Sequence, residues 1–249
     1  MRNNMENSII VNNLSKKYSN KLAVKNINFK INENEIIGLL GPNGCGKTTT
    51  IAMILGLLKP TSGEILINGF NIENNRIKLL HKINFISPYI ELPKKLTVKQ
   101  NLTVYGKLYS VKDLKYKIEH LSQKLRLENF LNRVTGELSS GQKNRVSLAK
   151  ALINDPSVLL LDEPTASLDP ETGDYVRSFL ENYKKEKKIS VLLASHNMRE
   201  VERLCDSVLM MKDGTIIDQG TPEDLINKHG RDNLEEVFLK LTRNSNELR

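Results

Sequence analysis

The sequence predicts an α/β fold: a mostly parallel sheet, preceded by a small antiparallel sheet and interrupted by a helical segment. The runs at residues 35–40, apolar after Glu35, and at 158–161 are typical of strands that are covered on both faces of a parallel sheet. The alternation of apolar and polar residues over 27–31 indicates a half-buried strand. Residues 87–154 instead carry apolar side chains at helical spacing, which predicts the inserted helical segment.

In the first part of the chain, the residues up to about 35 are expected to form the antiparallel sheet. The buried strand at 35–40 then leads into a helix over 49–58, where apolar side chains recur every three or four residues. Short strands are expected at 64–67 and 83–86. These elements would make up the first part of the parallel sheet domain.

Two sets of apolar and aromatic side chains at helical spacing, here called stripes, mark the inserted segment. Aromatic residues in one of them do not by themselves indicate a ligand site, because a stripe of this kind usually packs in a core. A further helix is expected after Leu138, with Val146, Ala149 and Ile153 on one face. The two stripes comprise Leu102, Tyr105 and Tyr109, and Ile118, Leu121 and Leu125.

The sheet resumes after the helical segment, with strands at 158–161 and 191–194. Two later strands are expected to pair across Asp213-Gly214, because this dipeptide is a strong hairpin signal. Thr221 and Pro222 are typical of a helix start, and the last residues, 244–249, are expected to fray. We therefore predict one domain with a core at 1–86 and 155–225, a helical subdomain at 87–154 and a helical tail at 226–249.

The glycine-rich stretch at residues 41–48 fits a phosphate-binding loop, because it lies between a predicted strand and a predicted helix. Its backbone N–H groups and the helix start would bind phosphate, Lys47 would reach the terminal phosphates of ATP, and the Thr48 hydroxyl would bind Mg²⁺. The fold is therefore expected to have a P-loop NTPase core. The alternative is a glycine-rich turn before an ordinary helix. The predicted nucleotide-binding residues here are Gly41, Pro42, Asn43, Gly44, Cys45, Gly46, Lys47, Thr48 and Thr49.

Two adjacent carboxylates, Asp162 and Glu163, follow the apolar run at 158–161. The carboxyl ends of parallel strands are where α/β sheets bind ligands. Asp162 is therefore a candidate Mg²⁺ ligand, and Glu163 is a candidate base for an attacking water. The alternative is that both acids cap the strand as solvated charges.

A second anion site is predicted at Ser139-Ser140-Gly141-Gln142, where hydroxyls and unpaired N–H groups converge at a helix start. Taken alone, this pattern is more often a simple helix N-cap. Its position between the phosphate loop and the Asp162-Glu163 pair gives it more weight.

These motifs, in this order and followed by Ser167-Leu168-Asp169 and His196, resemble the nucleotide-binding subunit of ATP-binding cassette (ABC) transporters over about residues 9–225. The resemblance implies that Ser139, Gly141 and Gln142 face the phosphate loop of a second copy in a head-to-tail dimer. It also implies an adenine stack on Tyr18, a dimer-crossing loop at Asp169 and a γ-phosphate contact at His196. Without the family, Tyr18 is a surface aromatic and His196 a polar residue at a strand end.

The chain departs from the family pattern at three places. Ser140 stands where the signature usually has glycine, a change that we expect to be tolerated. Ser87-Pro88-Tyr89 follows the strand at 83–86 without the usual glutamine, and Gln100 lies too far along the chain to replace it. Coupling to a permease is therefore expected to depend on the shape of the loop at 88–95, including Tyr89 and Leu92.

Cys45 is the third departure, since its position usually holds a small inert residue. Backbone N–H groups, Lys47 and a helix start would lower the pKa of the thiol and make it reactive. The alternative is a buried and inert thiol.

Length and composition agree with a single cytosolic domain. The 249 residues carry a net charge of +8, and we interpret the scattered lysines as a solvated surface, because no nucleic-acid motif accompanies them. Two cysteines give no disulfide framework. No apolar run reaches the ~18–20 residues of a membrane span, and the first seven residues lack the apolar core of a signal peptide. Membrane spans would have to come from another chain.

The prediction is therefore an ATP- and Mg²⁺-dependent ABC ATPase that dimerises with a second copy or a related subunit. It would lie on the inner face of the cell membrane through a permease, with no nucleic acid partner. Segments 96–108 and 233–239 resemble subunits of ABC-2 type exporters, which favours export of a drug, lipid or peptide. Two alternatives are a soluble ABC protein that acts on ribosomes or nucleic acid, and a regulatory subunit that hydrolyses ATP poorly.

Overall fold

A computed structural model of the chain describes residues 7–88, 90–166 and 168–243. The predictions made for Tyr89, for Ser167 and for the end of the chain at 244–249 lie outside these residues. Each strand is numbered in chain order. The strands are β1 (Asn7–Tyr18), β2 (Lys21–Asn32), β3 (Ile36–Leu40), β4 (Ser62–Ile67), β5 (Phe70–Asn71), β6 (Ile83–Ile86), β7 (Val158–Asp162), β8 (Ser190–Ala194), β9 (Ser207–Lys212) and β10 (Thr215–Gly220).

Helices connect these strands and fill the segment between β6 and β7. No helix in the described ranges is both long enough and apolar enough to cross a bilayer. The helices are α1 (Lys47–Ile54), α2 (Arg76–Leu80), α3 (Val98–Leu108), α4 (Leu114–Lys124), α5 (Ser140–Ala151), α6 (Pro170–Lys187), α7 (Met198–Leu204), α8 (Pro222–His229) and α9 (Leu234–Arg243).

The described strands form two sheets. The first is antiparallel between β2, β1, β4 and β5. The second has the order β10-β9-β3-β8-β7-β6, and it is parallel except for the edge strand β10. This arrangement confirms the predicted α/β fold with an antiparallel sheet at the N-terminal end.

Both faces of the parallel sheet are buried, because successive side chains of a strand point to opposite sides. Leu39 and Leu160 face the antiparallel sheet and α1, where they join one apolar cluster. Their neighbours Leu40 and Leu161 join a second cluster, to which α5, α6 and α7 contribute. The unbroken apolar runs in the sequence are therefore explained by two cores, one on each side of the sheet.

The predicted helix at 49–58 is too long at its C-terminal end. α1 stops at Ile54, and Gly56 follows with a left-handed φ of 64°. Glycine adopts this conformation at little cost, so it is a common helix terminator. Leu58 therefore lies outside the helix, although its side chain still packs partly against the cluster around α1.

The predicted hairpin between β9 and β10 is confirmed. Asp213 and Gly214 both have positive φ, 48° and 84°, as a type I′ turn requires. Gln100 has a structural role at the start of α3, where it forms a reciprocal capping box with Thr97. Its side chain is therefore committed to the helix end, in agreement with its exclusion as a catalytic glutamine.

The carboxyl ends of β3, β6, β7 and β8 lie at one edge of the sheet, because these strands are parallel. The register is well defined at this edge: Ala194 of β8 pairs with Leu39 on one side and with Asp162 on the other. The residues that follow each strand therefore emerge side by side. This edge carries the phosphate loop, Glu163 and His196.

Candidate active site

The phosphate loop is shaped by two glycines with positive φ, Gly44 at 78° and Gly46 at 114°. A Cβ on Gly46 would lie 2.6 Å from the carbonyl oxygen of Ala23, so this position has no room for a side chain. The Gly46 carbonyl also accepts the N–H of Thr50, which starts the hydrogen bonding of α1. The loop therefore turns tightly into the helix whose start faces the cleft.

Lys47 lies across this loop, with its ammonium Nζ 2.6 Å from the Gly41 carbonyl oxygen and 3.2 Å from that of Pro42. The side chain is largely buried, whereas Thr48 beside it is exposed. The positively charged Lys47 side chain and the exposed Thr48 therefore lie next to each other at the start of α1. Both belong to the set that the sequence predicts for phosphate and Mg²⁺ binding.

The expectation that the loop lowers the pKa of the Cys45 thiol is wrong. The side chain is 3% exposed and belongs to the apolar cluster around α1. Burial raises the pKa of Cys45, although the charge of Lys47 and backbone hydrogen bonds act in the opposite direction. Desolvation therefore outweighs the loop's positive potential, and Cys45 contributes its backbone rather than its thiol to the loop.

Asp162 ends β7 and is almost completely buried. Burial raises the pKa of its carboxyl, the neighbouring charge of Glu163 raises it further, and Lys47 opposes both. Its Oδ2 atom is buried without a hydrogen-bond partner among the described residues. An unpaired buried carboxylate oxygen fits a hard divalent cation, so the residues present are compatible with Mg²⁺ held by Asp162 and Thr48.

Glu163 is held in a left-handed backbone conformation, with φ of 51°. Such a conformation costs about 1–3 kcal/mol for a residue with a side chain, and it persists only where the surroundings fix it. The Glu163 N–H donates to the Ala194 carbonyl oxygen at 2.8 Å, which ties the end of β7 to the end of β8. Its Oε2 lies 2.7 Å from Nδ1 of His196. The carboxylate is 17% exposed and the imidazole 69% exposed, so both reach the cleft.

A cleft of about 580 Å³ opens at this edge of the sheet. The cleft brings together residues that are far apart in the sequence. Their side chains and backbone N–H groups are suited to binding the phosphates of a nucleotide. The sequence-predicted residues that line it are Gly41, Pro42, Asn43, Gly44, Gly46, Lys47, Thr48, Thr49, Asp162, Glu163 and His196.

The predicted signature residues lie elsewhere in the described chain, at the start of α5. Ser139 and Gln142 form a capping box, in which the Ser139 Oγ accepts the Gln142 N–H and Gln142 Oε1 accepts the Ser139 N–H. Asp169 caps the neighbouring helix α6 by accepting the Thr172 N–H at 2.9 Å. A Cβ on Gly141 would touch Thr172, so the two helix starts are adjacent. Ser139 and Asp169 are exposed, Gln142 is partly exposed and Gly141 is buried, and none of these residues lines the cleft of its own chain.

Tyr18 ends β1 with a ring that is 46% exposed. The Lys16 ammonium lies 5.4 Å from the ring centroid. The exposed ring is available for stacking, although it is not among the residues that line the phosphate part of the cleft. Its role as the adenine platform therefore remains a prediction.

Sequence reasoning missed Met198 at the start of α7 and Phe238 on α9, and it also missed Ala23 and Ala166, which line the same cleft. It also missed Glu200, a buried carboxylate on α7 that accepts hydrogen bonds from the segments that follow β7 and β8. Phe238 lies in the segment 233–239 that resembles exporter subunits, but the sequence does not show that it reaches the cleft, because its approach depends on how α9 packs. Glu200 follows His196 by four residues, but an acid in a short helix gives no signal that it is buried.

A separate groove of about 250 Å³ lies beside the cleft, between the segment after β6 and helix α5. Ile90 and Leu92 from the first segment and Lys143 and Asn144 from the helix line the groove, and Glu163 lines it as well. The Asn144 side-chain amide donates to the Pro164 carbonyl oxygen at 2.6 Å, which attaches α5 to the loop after Glu163. The groove thus borders the site where hydrolysis is predicted.

Sequence comparison identifies relatives that match most of the chain. A family model described as ABC transporter matches residues 24–166. The ABC transporter ATP-binding protein NatA of Bacillus subtilis (strain 168) is 36% identical over 89% of this chain and 91% of its own length. The Nod factor export ATP-binding protein I of Rhizobium johnstonii is 40% identical over 86% of this chain and 69% of its own length.

Solved structures give the same result. An ATP-binding subunit of an ABC transporter superposes with a TM-score of 0.87 and 28% identity, covering 94% of this chain and 99% of that one. A dimeric ATP-binding cassette in a post-hydrolysis state, bound to ADP and phosphate, superposes with a TM-score of 0.79 and 27% identity over 86% of this chain and 98% of that one. Together with the phosphate loop, the Asp162-Glu163 pair and His196 in one cleft, these matches show that the chain belongs to the ABC transporter family, as an ATP-binding subunit and ATPase.

Proposed function

We propose that this ATPase works as a head-to-tail dimer and powers a separate ABC-2 type permease that exports a drug, lipid or peptide. The proposal rests on one observation: the predicted site residues lie in two separate places on the chain's surface. Lys47, Asp162, Glu163 and His196 share one cleft, whereas Ser139 lies at an exposed helix start outside it. A second copy can supply the missing helix start.

The chain's own residues can perform the main tasks of phosphoryl transfer. The glycine loop and the start of α1 present N–H groups to the phosphates, and Lys47 adds a positive charge. Glu163 orients and deprotonates the attacking water, while His196, 2.7 Å from Glu163, contacts the γ-phosphate. The left-handed backbone at Glu163 holds the carboxylate in this position.

Thr48 and Asp162 would hold Mg²⁺, which when bound neutralises charge on the phosphate oxygens of ATP. The unpaired Oδ2 of Asp162 supports this assignment. In the absence of the family glutamine, we expect a water to complete the metal's ligands, because Mg²⁺ usually keeps several waters.

The exporter assignment is supported by the relatives, among which the Nod factor protein is named as an export ATP-binding protein. The groove between Ile90 and α5 is the proposed permease contact, because it joins the surface to Glu163. Through this contact the subunit would lie on the cytoplasmic face of the membrane. The substrate would be a molecule of the classes named above.

The dimer can be tested with pairs of chains that carry two different tags and are purified through both. In the first pair, one chain carries Lys47→Ala and the other carries Ser139→Arg. One of the two shared sites then keeps an intact phosphate loop and an intact signature, so we expect at least about a tenth of the wild-type ATPase rate.

The matched control places both substitutions in one chain and pairs it with a wild-type chain. Every shared site then contains one damaged half, so this pair should be inactive. Sites contained within single chains would give the opposite pattern, with an inactive first pair and an active control pair. That result would contradict the proposed head-to-tail dimer.

A further inference from the structure

Glu200 is a buried carboxylate that connects the two loops bearing Glu163 and His196. We infer that Glu200 is a positioning residue for ATP hydrolysis, which fixes the loop of the base relative to the loop of the γ-phosphate contact. The inference rests on the roles proposed above for Glu163 and His196. It adds a residue that does not itself line the cleft.

Each oxygen of the Glu200 carboxylate serves a different loop. Oε1 accepts a hydrogen bond from the Thr165 hydroxyl at 2.8 Å, and Oε2 accepts one from the Ser195 hydroxyl at 2.7 Å. Thr165 lies two residues after Glu163, and Ser195 directly precedes His196. A single carboxylate therefore spans the ends of the two neighbouring strands β7 and β8.

The residues on both sides of His196 are fixed by the same group of contacts. The Ser195 Oγ also accepts the Asn197 N–H at 3.1 Å. The Asn197 side chain in turn caps α7 by accepting the N–H of Glu200 at 3.2 Å. His196 lies between two residues whose positions are fixed by hydrogen bonds. The backbone of His196 is therefore held in place, although its exposed ring is largely free of packing.

Burial makes this contact sensitive to substitution. Glu200 is 1% exposed, and burial raises the pKa of its carboxyl, while hydrogen bonds from Ser195 and Thr165 and the charge of Arg177 act in the opposite direction. A buried carboxylate is stabilising only when its hydrogen bonds are made. An apolar side chain here would remove the acceptor of the buried Ser195 hydroxyl and of the part-buried Thr165 hydroxyl, and would release both loops.

The contact has a consequence for catalysis because Glu163 occupies a left-handed conformation and meets His196 at 2.7 Å. Such a geometry must be held by its surroundings. The N–H of Glu163 is held by Ala194 on one side, and Thr165 is held by Glu200 on the other. Loss of the second anchor should let the carboxylate move by a fraction of an ångström or more, which can slow a positioned reaction about 10²-fold.

The test compares Glu200→Ala with Glu200→Gln in the full chain, by steady-state ATPase kinetics and by binding of a fluorescent ATP analogue. Glu200→Ala should lower kcat by about 10- to 100-fold and leave the dissociation constant of the analogue within about threefold. Glu200→Gln keeps the side-chain length and an oxygen acceptor, so it should recover kcat to within about tenfold of wild type. Unchanged kcat in Glu200→Ala, or an equal loss of nucleotide binding, overturns the inference.

Glu202→Gln is the matched control. Glu202 lies on the same helix, but its Oε1 accepts the Leu234 N–H at 2.7 Å and so binds α9 rather than the catalytic loops. This variant should keep kcat within about twofold. An equal loss of kcat in Glu202→Gln would show that α7 acts as a general support, which also overturns the inference.

Thr165→Val and Ser195→Ala remove one arm of the bridge each and keep the carboxylate, so they test the inference even if Glu200→Ala does not fold. Each should lower kcat by about three- to tenfold without loss of nucleotide binding. Unchanged kcat in both would contradict the bridge.

Glu163→Gln is measured alongside, alone and combined with Glu200→Ala. Adding Glu200→Ala to Glu163→Gln should lower kcat by a smaller factor than Glu200→Ala does in the wild-type chain, because the position of an absent base does not matter and only the effect through His196 is left. Slow Glu163→Gln with normal Glu200 variants overturns the inference alone. Normal turnover in Glu163→Gln overturns the proposed function together with the inference that rests on it.

Discussion

The Oε2 atom of Glu163 lies 2.7 Å from Nδ1 of His196, across the ends of two adjacent parallel strands. This contact follows from the strand register, in which Asp162 pairs with Ala194. The residue after Asp162 and the second residue after Ala194 are thereby brought together. The proposed base and the proposed γ-phosphate contact are therefore in contact without any rearrangement of the loops.

His196→Ala should slow ATP hydrolysis by about 10²-fold, because removal of one donor to a reacting phosphate costs about 10²–10³ in kcat. ATP binding should change by less than about threefold, since the phosphate loop and Lys47 remain. Steady-state ATPase assays and nucleotide titration measure both quantities. His120→Ala is the control, as His120 stacks on Tyr116 in the helical segment. Equal rates in the two variants would exclude a catalytic role for His196.

Asp162→Asn should stabilise the nucleotide-free chain by ~1 kcal/mol, or about 2–4 °C in Tm, because it removes a buried charge with an unpaired oxygen. The stabilisation by Mg²⁺ and ATP should shrink at the same time, since a proposed metal ligand is lost. Differential scanning fluorimetry with and without Mg²⁺-ATP measures both effects. A lower Tm without nucleotide, or an unchanged response to Mg²⁺-ATP, would contradict the assignment.

The gain from Asp162→Asn should also depend on pH. The folded-state pKa of Asp162 is raised, so the folded chain holds this proton more tightly than the unfolded chain. Wild-type stability is therefore reduced above the folded-state pKa, and the reduction disappears below the ordinary pKa of an aspartate. The difference in Tm between variant and wild type should accordingly be full above the folded-state pKa and should shrink as the pH falls towards the ordinary pKa of an aspartate.

Cys45 and Cys205 should both resist maleimide at neutral pH in the folded chain. Both thiols are buried, and burial raises the pKa of each. Labelling followed by mass spectrometry should give less than about a tenth of the extent seen in urea. Fast modification of Cys45 that ATP prevents would restore the prediction of a reactive thiol.

Ile90→Ala should weaken stimulation by the permease and leave basal hydrolysis within about twofold. Ile90 is 50% exposed in the groove, and burial of the exposed half of its side chain against a partner would contribute about 1 kcal/mol. Leu92 is unsuitable for this test, because it is buried in the core and its truncation would cost about 2–5 kcal/mol of folding stability. Ile77→Ala, at an exposed position on α2, is the control. A loss of basal activity in Ile90→Ala would place the groove in the catalytic machinery.

Pro88→Gln places a glutamine near the position where the family has one. Pro88 lines both the cleft and the groove. Basal ATPase activity should nevertheless change by less than about tenfold, or ~1.4 kcal/mol in barrier height, because Thr48 and Asp162 supply the proposed metal ligands. A larger change would mean that the missing glutamine limits the basal reaction.

Most of the parallel sheet and the phosphate loop could be predicted because their signals are local. Buried parallel strands are apolar throughout, and the loop at 41–48 needs glycines at fixed positions. The spacing of apolar residues continues to Leu58 and so predicts a helix that is too long. The helix ends earlier because Gly56 adopts a left-handed backbone conformation.

The environment of each site residue was harder to predict, because it depends on packing between distant segments. Cys45 is buried beneath Gly41 and close to Met211, which the sequence places far from the loop. Glu200 is buried because Thr165 and Ser195 approach it from two different loops. Burial then fixed the pKa direction of both residues, and in the case of Cys45 it reversed the prediction made from the local charge.

The most direct test of the account is the rate of ATP hydrolysis by Glu163→Gln, measured with ATP binding and gel filtration on the same preparation. Glutamine keeps the shape of the side chain and removes its basicity, so turnover should fall by ~10²- to 10⁴-fold while ATP affinity is retained. The variant should then elute as a dimer in ATP and as a monomer without it. Wild-type turnover in Glu163→Gln would contradict the assignment of Glu163 as the base.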